Sequence, residues 1–352
     1  DTCYFGPEPE FFIFDEVRFG SSEYASSYFI DSVEGAWNSA RTEDGGNLGH
    51  KPGYKGGYFP VPPVDTMTNL RNDCAKIMEA TFGMEIEKHH HEVATAGQGE
   101  IDMRYGPLLT IADHVMEYKY VVRNVAKRYG KVATFMPKPL FEDNGTGMHT
   151  HQSIWKDGLP LFADPNGGRY AGLSELGLNY IGGLLHHAKA LAALVAPSSN
   201  SYKRLVPGFE APTILAMSAR NRSAAARIPM YFQDPHAKRV EFRPPDPSCN
   251  PYLAFSVMLT AGIAGIEGEY NIPPPVEENV FEMPPEERYK RGIGTLPESL
   301  GDAISLSEKV DVVRTALGEH VFNSFIRNKK IEWERYRTQV SDYELKRYLP
   351  IL

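Results

Sequence analysis

The run Asp143-Asn144-Gly145-Thr146-Gly147-Met148-His149-Thr150-His151-Gln152-Ser153 most constrains what this chain can become. It opens with an Asn and two glycines, a loop whose backbone can approach a ligand closely. It then alternates, so in a strand His149, His151, Ser153 and Trp155 point to one face. Two imidazoles on one face beside a glycine loop make a candidate site, and a sheet is needed to carry them. A solvent-facing His-x-His is the plainer alternative, and the carboxylates elsewhere in the chain argue against it.

The residues from Tyr4 to Val17 read as a strand in which Glu8 and Glu10 share a face. Pro9 between them suits a strand start or edge. Two carboxylates side by side repel and raise each other's pKa unless a cation lies between them. A solvated surface pair is the common outcome for Glu-x-Glu, but the flanks are Tyr4, Phe5, Phe11, Phe12, Ile13 and Phe14. Buried flanks favour a metal.

Further along, residues 20 to 64 predict long loops with short strands, including 55–60. Asp65 is expected to cap a helix whose stripe is Met67, Leu70, Cys74, Ile77, Met78 and Phe82, with Gly83 as its stop. A strand over 84–93 ends in His89-His90-His91-Glu92, and Gly97, Gly99 and Glu100 follow. Long helices are predicted over 107–129, from Ser174 to Ala196, and from Tyr252 to Ile266 with Pro251 at the first position. Lys131 to Pro137 reads as a strand, and Asp157-Gly158 as a hairpin turn. His186 and His187 read as structural or surface residues. The last helix begins with a capping box, Ser341 with Glu344, and ends in an apolar terminus that would need something to dock on.

Arginines cluster in the second half: Arg204, Arg220, Arg222, Arg227, Arg239 and Arg243, in a chain of net charge −8. Guanidinium groups bind phosphate and carboxylate in bidentate fashion, and the Gly, Pro and Asn settings argue against mere surface salt bridges. In 238–243 the alternation puts Arg239, Glu241 and Arg243 on one face and Val240 and Phe242 on the other. Glu8, Glu10, Glu92, Glu100, Glu241 and one His supply the oxygen-rich donors that Mg²⁺ and Mn²⁺ prefer. Metals, arginines and a mobile glycine loop are the recurring parts of phosphoryl transfer. No Walker A loop and no Gly-x-Gly-x-x-Gly follows a strand, so a nucleotide would be held through metals and arginines. The acidic balance argues against nucleic acid. Three scattered cysteines argue for a reducing, cytoplasmic setting, and no apolar run is long enough for a membrane span.

These residues resemble type I glutamine synthetase of bacteria and archaea. The resemblance rests on Gly6-Pro7-Glu8-Pro9-Glu10, Lys55 to Pro60, His90-His91-Glu92, Asn144 to His151, Asn200 to Pro212, Arg220 to Ala224, and Glu241-Phe242-Arg243 with Asp246 and Asn250-Pro251-Tyr252. It covers most of 1–300, and the last stretch matches loosely. It implies an α+β fold, an antiparallel sheet of the glutamine synthetase/guanido kinase type surrounded by helices. One catalytic domain would span 1–352, with 271–352 as a helical C-terminal part. It also implies that ATP phosphorylates the γ-carboxylate of glutamate and that ammonia displaces the phosphate.

By the same resemblance, Glu10, Glu92 and Glu100 would hold one divalent metal, and Glu8, His149 and Glu241 the other. Asn144, Gly145, His149, Arg204, Glu210, Arg222 and Arg243 would form the glutamate site. Glu210 would shield the acyl phosphate and take a proton, and Arg222 and Arg227 would stabilise the transferring phosphoryl group. Glu87, Tyr105, His151, Ser153, Arg222 and Arg227 would contact ATP. A homododecamer of two hexameric rings is implied as well.

Three departures bear on function. A small N-terminal β-grasp domain of the family, which supplies an ammonium-binding acid to the neighbouring subunit, is expected to be absent, leaving the ammonia site incomplete. The run Asn279 to Glu287 carries Phe281 where many members carry an adenylylated Tyr, so no adenylylation is expected there. His236 stands where a basic residue often lies near the adenine. Two other readings stay open beside glutamate–ammonia ligase: a γ-glutamyl ligase using a polyamine or other amine, and a catalytically incomplete structural relative. A two-His-one-carboxylate iron oxygenase is disfavoured by the excess of carboxylates and arginines.

Overall fold

The structure, a computed structural model, describes residues 1–351 except 40–41, 43–45, 222, 232–233 and 279–282. Its centre is an eleven-stranded sheet. The main path runs Gly294–Thr295, Ile214–Ser218, Ala224–Arg227, Val240–Phe242, Met148–Lys156, Thr2–Phe14, Gln98–Met103, Ile86–His91. All the pairings are antiparallel except that of Ile214–Ser218 with Ala224–Arg227, which is parallel. With helices packed on one side, this is the α+β fold expected.

Alternation decides which face is which. Phe5, Phe11 and Ile13 of the central strand enter the main core, where Phe5 meets Phe255 and Phe11 meets Tyr118 at ring separations of 5.0 and 6.1 Å. Met148 in the next strand, and Val240 and Phe242 in the one beyond, enter the same core. Burying each large apolar side chain is worth about 1.5–3 kcal/mol. A one-residue slip would exchange these for Glu8, Glu10, His149 and Glu241, so the register is strongly specified. The polar residues are therefore turned to the other face by the packing of their neighbours.

The helices Leu108–Arg128, Glu175–Val195 and Pro251–Glu267 cover the apolar face. Ser174 accepts from the Gly177 amide, Asn250 from the Tyr252 and Leu253 amides, and Ser341 forms its capping box with Glu344. Helices at Pro285–Lys290, Leu300–Ser307, Asp311–Arg337 and Asp342–Tyr348 make up the C-terminal part.

Several local expectations are corrected. The strand expected from Tyr4 to Val17 is two, Thr2–Phe14 and Glu16–Ser21, and the second pairs with Ser26–Asp31. Pro9 is not at an edge. It lies where the central strand changes partner, from Met148–Lys156 over Thr2 to Pro9 to Gln98–Met103 from Glu10 onward. A missing N–H is tolerated at such a handover. Residues 55–60 form turns, not a strand. Asp65 does not cap the helix Thr68–Phe82, whose N-cap is Met67. Its carboxylate instead binds the buried Arg71 guanidinium and accepts from the Met67 amide. Gly83 ends that helix in the left-handed region, as expected.

Candidate active site

Cross-strand register assembles the site. Glu8 sits opposite His149, Glu10 opposite Glu100, His90 opposite Glu100, and His151 and Arg227 opposite Glu241. A cleft of about 700 Å³ opens on this face. Glu8, Glu10, Glu87, Glu92, Glu100, Tyr105, Asn144, Gly145, His149, His151, Ser153, Arg204, Glu210, Arg227, Glu241 and Arg243 all line it. Arg222 lies outside the described residues, as does Phe281.

At one end of the cleft, ligand atoms of Glu8, His149 and Glu241 all lie within 4.8 Å of one another. His149 Nδ1 is 3.7 Å from Glu8 and 3.8 Å from Glu241. Burial, reinforced by Arg243, pushes the His149 imidazole down to about 4, so it is neutral and able to donate its lone pair to a metal. Burial would raise Glu241, but Arg243 holds it below the usual carboxylate range, donating to Oε1 at 2.7 Å while Arg227 grips Oε2. Burial would also raise Glu8, yet His151 and His149 hold it well below that range.

At the other end the electrostatics reverse. Burial first, then Glu92, pushes Glu10 well above the ordinary carboxylate value. Burial pushes Glu92 up to about 7, and burial with Asp102 pushes Glu100 well up. The tight set around Glu100 comprises His90 and Asp102, again with ligand atoms within 4.8 Å. These carboxylates crowd together with too little positive charge, and a divalent cation would reverse the shifts. Asp102 Oδ1, Asn144 Oδ1 and Arg243 Nε are buried without hydrogen-bond partners among the described residues, which is costly unless a ligand or ion completes them. The donor set therefore fits hard divalent cations.

The glycine loop is held by its neighbours. The Glu10 amide donates to the Gly147 carbonyl at 3.0 Å, and Gln98 Nε2 to both Glu10 and the Gly145 carbonyl at 2.9 Å. A Cβ on Gly145 would strike the Pro137 carbonyl oxygen, and one on Gly147 would lie 2.7 Å from Arg204 Nη2. Arg204 is buried and spends donors on the Pro244 and Arg243 carbonyls, at 2.9 and 3.2 Å. It is thus a fixed wall of the cleft. Glu210 is exposed in its loop with a left-handed φ of 56°.

Reasoning from the residues missed His90 and Asp102 as neighbours of Glu100, and Arg239 as the partner of His151. His90 carried a signal, the His-His-His-Glu run. Asp102 carried none, because its nearness to His90 depends on strand pairing. His186 and His187 do lie away from the cleft, their rings tilted against Tyr270.

Comparison with known proteins identifies the family. The family described as "Glutamine synthetase, catalytic domain" matches residues 2–348. The glutamine synthetase of Frankia alni is 54% identical over 336 residues, covering 95% of this chain and 69% of the relative. That of Escherichia coli K12 is 48% identical over 353 residues, covering 100% and 74%. Among solved structures, Plasmodium falciparum glutamine synthetase superposes with a TM-score of 0.85 at 28% identity, covering 99% of this chain and 75% of the other. The ADP complex of GmaS gives 0.79 at 29% identity, covering 99% and 73%. This chain belongs to the glutamine synthetase family and matches its catalytic domain.

Proposed function

We propose that this cleft joins ammonia to the γ-carboxylate of glutamate, driven by ATP, as a glutamate–ammonia ligase. The observation that carries the reading is the Glu8, His149 and Glu241 set, flanked by Arg227 and Arg243, on the cleft face of a sheet of this family. Glu8, His149 and Glu241 would hold one divalent cation, and Glu10, Glu92 and Glu100 a second. Mg²⁺ or Mn²⁺ suits this carboxylate-rich donor set. When bound, such cations neutralise charge on the ATP phosphates and on the glutamate carboxylate.

The chain's own residues would then do the following. Asn144 and the Gly145 backbone face the cleft beside Arg204 and Arg243, where glutamate would be oriented. The γ-carboxylate oxygen attacks the γ-phosphorus of ATP, the bond to the β-phosphate oxygen breaks, and ADP leaves. Arg227, and Arg222 by family resemblance, would meet the negative charge on the transferring phosphoryl group. Glu87, Tyr105, His151 and Ser153 line the cleft, where they would contact the nucleotide. Ammonia then attacks the acyl carbon, its extra proton passes to Glu210, and phosphate departs with the C–O bond electrons. Glu210 at the cleft rim would also keep water from the acyl phosphate.

The exposed apolar residues Leu349 and Ile351 support further assembly, for which the dodecamer of two rings is our proposal. Three free cysteines support a cytoplasmic location. No helix among the described residues is long and apolar enough to cross a membrane.

The test is turnover of ATP and glutamate by the full-length, assembled protein with Mg²⁺ or Mn²⁺, with and without ammonium, following phosphate and glutamine together. Ammonium-dependent glutamine is expected. Turnover with an alkylamine but not with ammonium, or no binding of ATP, overturns the reading.

A further inference from the structure

Two lysines from distant segments close on one aromatic ring beside Glu210. Lys138 Nζ lies 3.6 Å from the Phe209 ring centroid and Lys55 Nζ lies 4.1 Å from it. Both separations are well inside cation–π range. Lys55 Nζ also donates to the Gly208 carbonyl at 2.9 Å, pinning the residue before the ring. The next residue, Glu210, has φ 56°, a left-handed conformation that a residue with a Cβ adopts only when its surroundings impose it.

Both lysines are tied to the head of the glycine loop. Lys138 Nζ donates to the Asp143 carbonyl, and the Lys55 amide donates to Asp143 Oδ1 at 3.1 Å. The same Asp143 oxygen accepts from the Asn144 amide at 3.0 Å, and its other oxygen accepts from the Thr95 amide at 2.9 Å. Asp143 is fully buried and Lys138 is 9% exposed, so this hub is rigid, whereas Phe209 is half-buried and Glu210 exposed. The loop that carries Glu210 is thus fastened through one ring to the base of the proposed glutamate-binding loop.

We propose that Lys55 and Lys138 form a clamp on Phe209 that holds Glu210 over the acyl phosphate, making these three positioning residues for the second half-reaction. The proposal rests on the ligase reading given above. Its consequence is chemical partition. With the clamp closed, ammonia attacks the acyl carbon and glutamine forms. With it loosened, water attacks the same carbon, the C–O bond to phosphate breaks, and glutamate is regenerated with phosphate.

The experiment measures phosphate released per glutamine formed, at saturating glutamate and ammonium, for the full-length, assembled protein and for its Phe209→Leu, Phe209→Tyr, Lys138→Met and Lys55→Met variants. The parent protein should give a ratio near one. Phe209→Leu removes the quadrupole but keeps apolar bulk, and Lys138→Met keeps the chain but loses the charge. Each should raise the ratio about fivefold or more, as loss of a partly desolvated cation–π contact implies. Phe209→Tyr keeps the ring face and should restore the parent ratio. Lys55 is exposed, so Lys55→Met tests the clamp even if a change at the buried Lys138 unfolds the protein. If Phe209→Leu and Lys55→Met lower the overall rate while the ratio stays near one, the clamp is overturned and the ligase reading stands. If the parent protein makes no glutamine, the ligase reading fails and the clamp fails with it.

Discussion

Arg239 Nε lies 3.1 Å from His151 Nδ1, and this contact sets the tautomer of the imidazole. A guanidinium has no acceptor, so Nδ1 must accept and the proton sits on Nε2. Nε2 then donates to Glu8 Oε1 at 3.0 Å. The chain Arg239–His151–Glu8 therefore aims the Glu8 carboxylate toward His149 and Glu241.

Removing the far end of that chain should loosen the near end. Arg239→Met is expected to weaken Mn²⁺ binding about tenfold, the usual effect of deleting a residue that orients a metal ligand. Electron paramagnetic resonance of free Mn²⁺ measures this directly. Unchanged affinity would show that Glu8 is oriented without His151.

At the proposed cation site, Glu92 would link cation binding to pH. Burial raises its pKa to about 7 without a cation. An unfolded Glu titrates near ~4.3. The folded chain therefore holds this proton more tightly than the unfolded one. The resulting stability is fully present below the unfolded value and is lost as pH rises through about 7. A divalent cation needs the carboxylate form, so cation affinity should climb as pH rises toward 7 and level off above it. Calorimetric titration of Mg²⁺ at pH 6 and pH 8 should show more proton release at the lower pH. A pH-independent affinity would remove Glu92 from the cation site. At about 100 times its dissociation constant the cation should stabilise the fold by ~2.7 kcal/mol, seen as a higher melting temperature that a chelator reverses.

The Asp65–Arg71 pair is a purely structural counterpart. Arg71 is 1% exposed, and its guanidinium binds the Asp65 carboxylate and His89 Nδ1. Burial raises Asp65, but Arg71 outweighs it and lowers the net pKa, so its stabilisation is present above the unfolded carboxylate value and lost as pH falls through the lower folded one. Asp65→Ala leaves a buried, uncompensated guanidinium and should cost about 3 kcal/mol. Urea denaturation reads this as a lower midpoint. A change below ~1 kcal/mol would mean that Arg71 finds other compensation.

Gly145 should not tolerate a methyl group. Its Cβ would strike the Pro137 carbonyl and come within 3.0 Å of Arg204 Cγ. The loop must shift, and in the proposed glutamate site a displacement of ~1 Å can cost about 100-fold in rate. Gly145→Ala is therefore expected to lower kcat/KM for glutamate by that order and to lower the melting temperature as well. A wild-type kcat/KM would remove the loop from the glutamate site.

How much of this was legible in the chain differs from one element to the next. Ser174, Asn250 and the Ser341–Glu344 box marked helix starts correctly, because a cap acts within one turn. Asp65 looked like a cap and is not one, because a buried Arg71 from the following helix competes for the same carboxylate. Residues 55–60 looked like a strand, yet Gly57 and Phe59 donate their amides to the Val93 and His91 carbonyls within a run of turns. Tertiary contacts override propensity in such segments.

Alternation along single strands determined that Glu8 and Glu10 share a face, as do His149, His151 and Ser153, since side-chain direction is local geometry. The order of the blocks from Gly6 to Tyr252 determined the family. Pairing was decided only by the tertiary structure: Glu8 against His149, Glu10 against Glu100, His90 beside Asp102, and Phe209 in contact with both Lys55 and Lys138. Register depends on which apolar side chains can be buried together across strands far apart in the chain, and no local pattern holds that information.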